Sequence, residues 1–285
     1  LFRDLIVAER YEEAAEIGRR QVKNGAQILD VCLQNADRDE LADVDRFYDR
    51  LIRIVKAPIM IDTTDPRSVE RALTWCQGKS IINSVNLEDG EEKFEGVCPL
   101  ARKYGAALVV GCIDEDPVQA QAITRERKLQ IAVRSHQLLT EKYGIPPEDI
   151  VFDPLVFPCG TGDANYVGSA VETIEGIRLI KEALPDTRTV LGISNISFGL
   201  PPAGREVLNS VFLYHCVKAG LDLAIVNAEK LERYPSIPEE HRRLAEDLLW
   251  NRGDDPIAAF TAAFRNVKPG AKKEGKALSL DERLA

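Results

Sequence analysis

Seven short apolar runs recur along the chain, and each carries an aspartate or asparagine at or near its carboxyl end. These polar residues are Asp30, Asp62, Asn83, Asp114, Asp153, Asn195 and Asn227. Amphipathic stretches separate the runs, and continuous Val, Ile and Leu runs are typical of parallel strands buried on both faces. This alternation predicts an α/β fold of the TIM (β/α)8 barrel type, in which the carboxyl ends of the strands form the floor of the active site.

A glycine stands shortly before most of these runs, as expected where a helix ends and the chain returns to the sheet. These glycines are Gly25, Gly78, Gly105, Gly144 and Gly220. The length of 285 residues is that of one TIM barrel, and a hydrophobic content of 45% is enough to fill a single core. We therefore expect one barrel domain over residues 1–266.

Seven strands can be placed, whereas a complete barrel needs eight. The missing strand should come first, because residues 1–24 have the pattern of the helix that follows a strand. Residues 267–277 are rich in lysine and glycine and are predicted to be a linker. Residues 278–285 have the pattern of the beginning of a following helical domain. Both ends suggest a piece of a longer, multidomain protein.

Two Asp-Pro pairs are expected to begin helices, because aspartate is a favoured N-cap and proline fits the first helical turn. They are Asp65-Pro66 and Asp116-Pro117, and the second should precede the longest helix, from Val118 to Tyr143. Another helix is predicted from Gly204 to Ala219, with apolar residues on one stripe.

The three histidines do not belong to the polar residues at the strand ends. His136 and His215 lie on apolar helix faces, and His241 lies in a charged run. We expect all three to be packing or solvated residues and not catalytic groups or metal ligands. The six cysteines are widely scattered without a CxxC pair, which favours buried free thiols in a reducing cytoplasm over a disulfide framework.

The charge and hydropathy of the chain exclude several classes of partner. A formal net charge of −9 argues against nucleic acid, because a polyanion needs a basic face. No apolar stretch approaches the roughly 20 residues of a membrane span. The amino-terminal segment is an acidic amphipathic helix without the features of a signal peptide, so a cytoplasmic protein is expected.

Four kinds of site chemistry are considered for a barrel, and the residue types at the carboxyl ends of the strands distinguish among them. A Schiff-base aldolase needs a lysine at a strand's carboxyl end, and none of the seven ends has one. A zinc hydrolase needs histidine or cysteine ligands at set spacings, which are also absent. A Mg²⁺ enzyme could use the carboxylates at the strand ends, since hard cations prefer carboxylate oxygens. Those carboxylates are Asp30, Asp62, Asp114 and Asp153.

The fourth chemistry is recognition of a heterocycle with alternating hydrogen-bond donors and acceptors. An aminopyrimidinone ring presents an amidine-like pair of N–H groups that one carboxylate can accept, and carboxamides can bond its carbonyl and ring nitrogens. Several aspartates together with Asn83, Asn195 and Asn227 suit such a ring. The residues favour this hypothesis modestly over the Mg²⁺ site.

Five segments, in this order along the chain, resemble the pterin-binding barrel family. They are GAQILDV, PIMIDTTDPRSVERAL, GKSIINSVNLEDGEEKF, DIVFDPLVFP and GISNISFGLP. The family includes dihydropteroate synthase, methyltetrahydrofolate:corrinoid methyltransferases and the folate (methyltetrahydrofolate-binding) domain of cobalamin-dependent methionine synthase. The resemblance is strongest to the last branch, because VFLYHCVKAGLDLAIVNAEKL and DLLWNRGDDPIAAF follow in the same order.

The resemblance implies a role for each matching residue. The synthase branch follows the corresponding strand with cations that handle pyrophosphate, whereas this chain has Ser194-Asn195-Ile196-Ser197, which matches the methyltransferase pattern. Asn195 is then implied to be catalytic, by hydrogen bonding to N5 of 5-methyltetrahydrofolate. The residues implied to bind the pterin ring are Asp62, Asn83, Asp153 and Asn195, with Asn227 as a weaker candidate. Structural roles as helix caps or turn residues are the alternative, and for Asp30 and Asp114 the two interpretations are evenly balanced.

The implied reaction transfers the N5 methyl group of 5-methyltetrahydrofolate to cob(I)alamin, as part of methionine synthesis from homocysteine. Cobalamin and zinc would be bound by other domains, since this chain has neither an Asp-x-His-x-x-Gly motif nor a zinc–thiolate site. The implied partners are the cobalamin-binding and homocysteine-binding domains of the same polypeptide. Two alternatives stay open, a methyltransferase that acts on a corrinoid iron–sulfur protein and a folate-binding barrel without turnover.

Overall fold

Seven parallel strands form one sheet in the computed structural model, which describes residues 1–267. The strands are β1 Leu29–Cys32, β2 Ile59–Asp62, β3 Ile81–Val85, β4 Ala107–Gly111, β5 Ile150–Asp153, β6 Arg188–Gly192 and β7 Leu223–Ile225. Each strand pairs in parallel with the next one along the chain. Residues 268–285, which include the predicted following helix and most of the predicted linker, lie outside the described residues.

Helices separate the strands and follow the last one. They are α1 Phe2–Val7, α2 Tyr11–Lys23, α3 Glu40–Ile54, α4 Pro66–Trp75, α5 Glu92–Tyr104, α6 Arg125–Gln137, α7 Ser169–Ala183, α8 Pro202–Ala219, α9 Glu239–Leu249 and α10 Pro256–Phe264. A π-turn, Leu138–Lys142, extends α6, and a short 3-10 turn, Ile193–Ser197, follows β6. No helix within residues 1–267 is both long and apolar enough to cross a membrane.

Side chains alternate between the two faces of each strand, and this alternation builds two apolar layers. One layer lies inside the sheet and combines residues from strands on both sides of the barrel. Its members are Met60, Ile81, Ala107, Val109, Val151 and Val190, with Ile28, Leu223 and Ile225 packed against them. The residues between these positions, such as Ile61, Leu108 and Leu191, face the surrounding helices instead. The sheet is therefore curled around its own core, and the predicted barrel is confirmed.

β1 and β7 are the edges of the sheet, because neither pairs with a further strand within residues 1–267. The side chain of Asn24, before β1, nevertheless donates a hydrogen bond to the carboxylate of Glu229, after β7. This contact brings the two edges of the sheet near each other. The described residues thus supply seven strands of a nearly closed barrel, as the sequence predicts.

The glycines predicted to end helices adopt the conformation that this role requires. Gly105 (φ 66°) and Gly220 (φ 110°) cap α5 and α8 in the left-handed region, where a residue with a Cβ is strained. Gly25, Gly78 and Gly144 also have positive φ. The helix start at Asp65-Pro66 is confirmed as well, since the Asp65 carboxylate accepts from the main-chain N–H of Arg67 at 2.9 Å.

The helix predicted from Val118 to Tyr143 is wrong at its amino end, because α6 begins at Arg125 and Thr124 is its N-cap. Asp116 does accept from the N–H groups of Val118 and Gln119, but it closes a single turn of a loop. The loop then folds back, and Gln121 forms an isolated antiparallel bridge with Ile113. The local N-cap chemistry is as predicted, and this tertiary pairing stops the turn from continuing as a helix.

Two further predictions differ in detail from the structure. The amino-terminal segment forms two helices, α1 and α2, because the chain turns sharply at Glu9 (φ 57°). α8, which has 18 residues, covers the predicted helix from Gly204 to Ala219 and begins earlier, at Pro202. α8 lies against α10 at Gly204, where an added Cβ would come within 2.7 Å of the Phe260 ring.

The histidines on α8 and α9 pack against aromatic and acidic side chains. His215 on α8 lies 4.6 Å from the Trp250 ring, and its Nε2 is 2.9 Å from the Glu246 carboxylate. His241 packs against Phe264 with ring centroids 4.6 Å apart. These contacts hold α9 and α10 on the surface of α8, away from the strand ends.

Candidate functional site

The strand alternation points a set of polar side chains into the mouth of the barrel. Met60, Ile81 and Val151 belong to the inner apolar layer. The residue two positions later on the same strand faces the same way, one layer nearer the carboxyl end. Those residues are Asp62, Asn83 and Asp153, and Asp30 follows Ile28 in the same manner. The sequence pattern thus places four of the predicted residues on the inner face.

Asp30, Asp62 and Asn83 form a group on three neighbouring strands, which we call the Asp30–Asn83 group. Strand register pairs Cys32 with Asp62 and Asp62 with Asn83. Burial, followed by the nearby charge of Asp62, raises the pKa of Asp30 to about 6, against the opposing effect of the Asn83 amide. Asp30 nevertheless remains exposed to solvent at the barrel mouth.

Asp62 is less exposed to solvent than Asp30 in this group. Burial raises its pKa, and the hydrogen-bonding thiol of Cys32 opposes this shift. Because Asp65 caps α4, the Asp62 carboxylate is not needed for that purpose. Two carboxylates with raised pKa beside one carboxamide form a site that favours a ligand with N–H donors.

Asp153 and Asn195 line a cleft on the other side of the mouth, which we call the Asp153–Asn195 cleft. Its volume is about 270 Å³. The lining residues are Gln121, Asp153, Leu155, Val156, Phe157, Pro158, Gly192, Asn195 and Phe198. Mostly apolar walls with a few convergent polar groups are typical of a small-molecule site.

The Asp153 carboxylate is held by the loop that follows it. Its Oδ1 accepts from the main-chain N–H of Leu155 at 2.8 Å. Burial raises the pKa of Asp153 to about 6, although this N–H and the charge of Lys128 both favour the ionised form. At neutral pH the group is therefore an anion with one oxygen oriented by the protein.

Asn195 enters the same cleft from the 3-10 turn after β6. This turn brings its side-chain amide against Gly192, where an added Cβ would lie 3.3 Å from Nδ2. The main-chain carbonyl of Asn195 accepts from Phe198, which fixes the turn, while its side-chain amide faces the cleft. The amide can therefore donate or accept toward a ligand.

Asn227 and Asp114 lie outside the Asp153–Asn195 cleft. The side chain of Asn227 accepts from the N–H of Glu229 at 3.1 Å and lines a neighbouring cleft with Ser194 and Arg205, which we call the Asn227 cleft. Asp114 is buried and forms an ion pair with Arg127 at 2.5 Å. Its carboxylate holds a loop in place and is not displayed to the barrel mouth.

Some lining residues had no sequence signal of their own. Gln121, Phe157 and Phe198 lie on loops, and they reach the cleft only because those loops turn back over the strand ends. Phe157 stacks on Tyr166 with ring centroids 5.0 Å apart, which stiffens the loop after β5. Within residues 1–267, no group of three His, Cys, Asp or Glu side chains is arranged to hold a metal ion.

A family model for pterin binding enzymes matches residues 1–227, a range that includes every residue of both polar groups. The chain belongs to the pterin binding enzyme family. Among curated relatives, the methionine synthase of Mycobacterium tuberculosis is 40% identical and matches 100% of this chain. The methionine synthase of Mycobacterium leprae is 39% identical over 98% of the chain. The chain spans 24% of the length of each of these relatives.

Solved structures of this family share the barrel. The dihydropteroate synthase of Xanthomonas albilineans with 4-aminobenzoic acid aligns with a TM-score of 0.57 at 17% identity, covering 92% of this chain and 89% of that chain. The dihydropteroate synthase of Thermus thermophilus aligns with a TM-score of 0.53 at 22% identity, over 82% and 87% of the two chains. At this level of identity the likeness establishes the fold.

Proposed function

We propose that this chain binds 5-methyltetrahydrofolate in the mouth of the barrel and acts as the folate domain of a cobalamin-dependent methionine synthase. The observation that carries the proposal is that Asp153 and Asn195 line one cleft whose lining residues, within residues 1–267, include no lysine or arginine. A pterin pyrophosphate would need cations beside its leaving group. A methyl donor without a pyrophosphate leaving group does not need cations at this position. The sequence identity of 40% and 39% to two methionine synthases also supports a methyl donor as the substrate.

Recognition of the pterin ring would come from the carboxylates. An ionised Asp153 can accept two parallel N–H bonds from the amidine-like edge of the ring. Its partly desolvated position strengthens this charge-assisted pair, since water competes less in a cleft. Across the mouth, Asp62 and Asn83 would bond the remaining polar edge of the pterin, with Asp30 beside them.

Asn195 would act on the reacting nitrogen. N5 of the folate is a poor leaving group as an anion, so transfer of its methyl group requires that N5 gain a proton or a strong hydrogen bond. A carboxamide suits this position, because it can donate to the lone pair of neutral N5 and accept from N5–H once N5 is protonated, and that proton stays on N5 when the methyl group leaves. A contact that strengthens as charge develops at N5 accelerates the reaction, whereas one of constant strength only binds the substrate.

The methyl acceptor, cob(I)alamin, supplies the nucleophile and would be brought to the barrel mouth by another domain of the same polypeptide, as would homocysteine with its zinc site. This chain's residues would bind and orient the folate and exclude water from the reacting side. The apolar walls at Leu155, Val156 and Phe198 serve the last purpose. A corrinoid iron–sulfur protein as the acceptor is disfavoured, because the relatives that match almost all of this chain are methionine synthases.

The test mixes the purified protein with 5-methyltetrahydrofolate and free cob(I)alamin and follows the loss of cob(I)alamin absorbance in a stopped-flow instrument. A protein-dependent, saturable decay with formation of tetrahydrofolate is expected. Binding of the folate without any decay would indicate a folate-binding barrel without turnover. Absence of binding, measured in parallel by calorimetry, would refute the whole proposal.

A further inference from the structure

Lys128 is a fully buried lysine on α6, and its ammonium group forms no ion pair within residues 1–267. Burying a cation without a carboxylate in direct contact is unfavourable, and the charges of Asp153 and Glu172 act on Lys128 only from a greater distance. A hydrocarbon side chain of the same length would fill the space without that cost. The reason for a lysine at this position must therefore lie in the three hydrogen-bond donors of its charged ammonium group.

The three donors of Lys128 meet three main-chain carbonyl groups. Nζ donates to the carbonyl oxygens of Ala122 at 2.8 Å, Pro154 at 2.5 Å and Leu155 at 3.3 Å. Burial lowers the pKa of Lys128 to about 8, so the ammonium form with all three protons still predominates at neutral pH. Nζ also lies 5.2 Å from the centre of the Phe157 ring, in the range of a cation–π contact.

These carbonyl groups belong to the two loops that form one side of the Asp153–Asn195 cleft. Ala122 follows Gln121 in the loop between β4 and α6, and Pro154 and Leu155 follow Asp153 in the loop between β5 and α7. Leu155 has a φ of 67°, an unfavourable conformation for a residue with a branched side chain. The Leu155 N–H donates to the Asp153 carboxylate. The Lys128 ammonium group therefore binds the carbonyl group of the same residue whose N–H orients the proposed pterin contact.

We propose that Lys128 is a positioning residue for the Asp153–Asn195 cleft. Its ammonium group holds the main chain at Ala122, Pro154 and Leu155, and so fixes Gln121 and the Asp153 carboxylate in the orientation that binds the pterin ring. The hydroxyl group of Thr173 on α7 donates to the same Leu155 carbonyl at 2.9 Å and assists in this. The identity of the ligand in this inference rests on the proposed folate function. The fixed conformation of the two loops does not depend on that function.

Lys128→Met tests the proposal, because methionine has a similar length and no donor. Folate affinity is measured by calorimetry on the intact protein, at a temperature where circular dichroism shows the variant fully folded. The dissociation constant should rise roughly ten- to a hundred-fold, because only a fraction of the molecules then hold the competent loop conformation. Hydrogen exchange at the Leu155 amide, measured without folate, should become faster.

Leu139→Ala is the matched control for stability. Leu139 is fully buried beyond the other end of α6, and its truncation leaves a cavity that is expected to lower the midpoint of urea denaturation. The folate dissociation constant of this control variant should stay within about twofold of wild type, because a loss of stability alone should not change the affinity of the folded protein. A folded Lys128→Met variant with the Leu155 exchange rate of wild type would overturn the proposal whatever its affinity, because loss of the lysine charge alone also disfavours the ionised Asp153 carboxylate.

Gly176→Ala serves if Lys128→Met does not fold. An added Cβ at Gly176 on α7 would lie 2.7 Å from Cδ of Lys128 and displaces the lysine without removing its charge. Weaker folate binding and faster Leu155 exchange are again expected, whereas Gly96→Ala on α5, which meets only Pro66, should change neither. If wild type bound no folate, the proposed function would fail, and Leu155 exchange would still decide whether Lys128 fixes the loop.

Discussion

At the scale of single residues, Asp153 carries two opposing requirements. Its burial against Leu155, Val156 and Phe157 raises the pKa to about 6, and the proposed ligand needs the ionised form. The free protein therefore keeps a carboxylate that is only about one pH unit from protonation at neutral pH. Because the acid form cannot accept two N–H bonds, folate affinity should be full above pH 6 and fall as the pH drops through 6.

Asp153→Asn is expected to weaken folate binding more than it slows transfer from bound folate. The amide cannot accept both N–H bonds of the pterin edge, so the affinity loss should be about 1–3 kcal/mol at pH 7. Calorimetry from about pH 5 to pH 8 should also show that the decline below pH 6 is reduced in the variant. Asp163→Asn is the control, since Asp163 caps an exposed turn of the same loop. Unchanged affinity with a collapsed single-turnover rate would contradict the assigned role.

Asn195→Ala should do the reverse and slow methyl transfer far more than it weakens binding. Loss of one preorganised donor at a charge that develops in the transition state lowers the rate roughly 10²–10³-fold. Loss of a neutral ground-state bond changes affinity by only about 0.5–1.5 kcal/mol. Single-turnover stopped flow at saturating folate measures the rate, and Asn165→Ala, an exposed asparagine on the loop after β5, is the control. A rate within a few-fold of wild type would assign Asn195 to pterin recognition alone.

The site residues that could be predicted from the sequence are those whose position follows from the strand that carries them. Asp62, Asn83 and Asp153 end apolar runs, and the period of two then determines which face they occupy. Gln121 and Lys128 could not be found in this way. Their positions depend on where the loop before α6 reverses, and that reversal comes from contacts between segments far apart in the sequence.

At the scale of elements, the loop between β4 and α6 shows how a tertiary contact overrides a local signal. Asp116-Pro117 has the local pattern of a helix start, and Asp116 does cap a turn. The buried pair between Asp114, at the start of the loop, and Arg127, in the first turn of α6, fixes the path of the chain instead. Propensity alone cannot reveal this pair, because each partner looks like an ordinary charged residue in the sequence.

Asp114→Asn is expected to destabilise the protein by about 3 kcal/mol, because it removes the close, buried charge partner of the Arg127 guanidinium and leaves only the more exposed Asp116 carboxylate at 3.8 Å. Urea denaturation of the folded protein measures the change. Asp116→Asn should change the free energy of unfolding by less than about 0.5 kcal/mol, since Asp116 is exposed and an asparagine still accepts the same N–H bonds. Equal stability of the two variants would mean that the Asp114 pair is not a structural clamp.

At the scale of the whole molecule, the polar groups stand on opposite sides of one barrel mouth. The Asp30–Asn83 group belongs to β1 through β3, whereas the Asp153–Asn195 cleft is built on β5 and β6. The sequential order of the strands was predictable from the repeated run-and-helix unit. The near contact of the two sheet edges at Asn24 and Glu229 was not, because it depends on the accumulated curvature of seven strands.

A pterin that spans the mouth should stabilise both sides together. At a free folate concentration about 100 times the dissociation constant, the free energy of unfolding should rise by about 2.7 kcal/mol. Hydrogen exchange should become slower both near Asn83 and in the loops that carry Asp153 and Asn195. Exchange that slows on one side of the mouth only would show that the ligand does not bridge the two groups.

The strand order also has a consequence for the order of folding. Each strand pairs with its neighbour in sequence, so the outer apolar clusters can form from consecutive units as the chain is synthesised. The inner apolar layer includes Ile28, just before β1, as well as Leu223 and Ile225 on β7. It is therefore complete only when β7 has joined the sheet. We therefore expect the barrel mouth to be assembled late, after the rate-limiting step. A ligand bound there should slow unfolding while leaving the folding rate nearly unchanged.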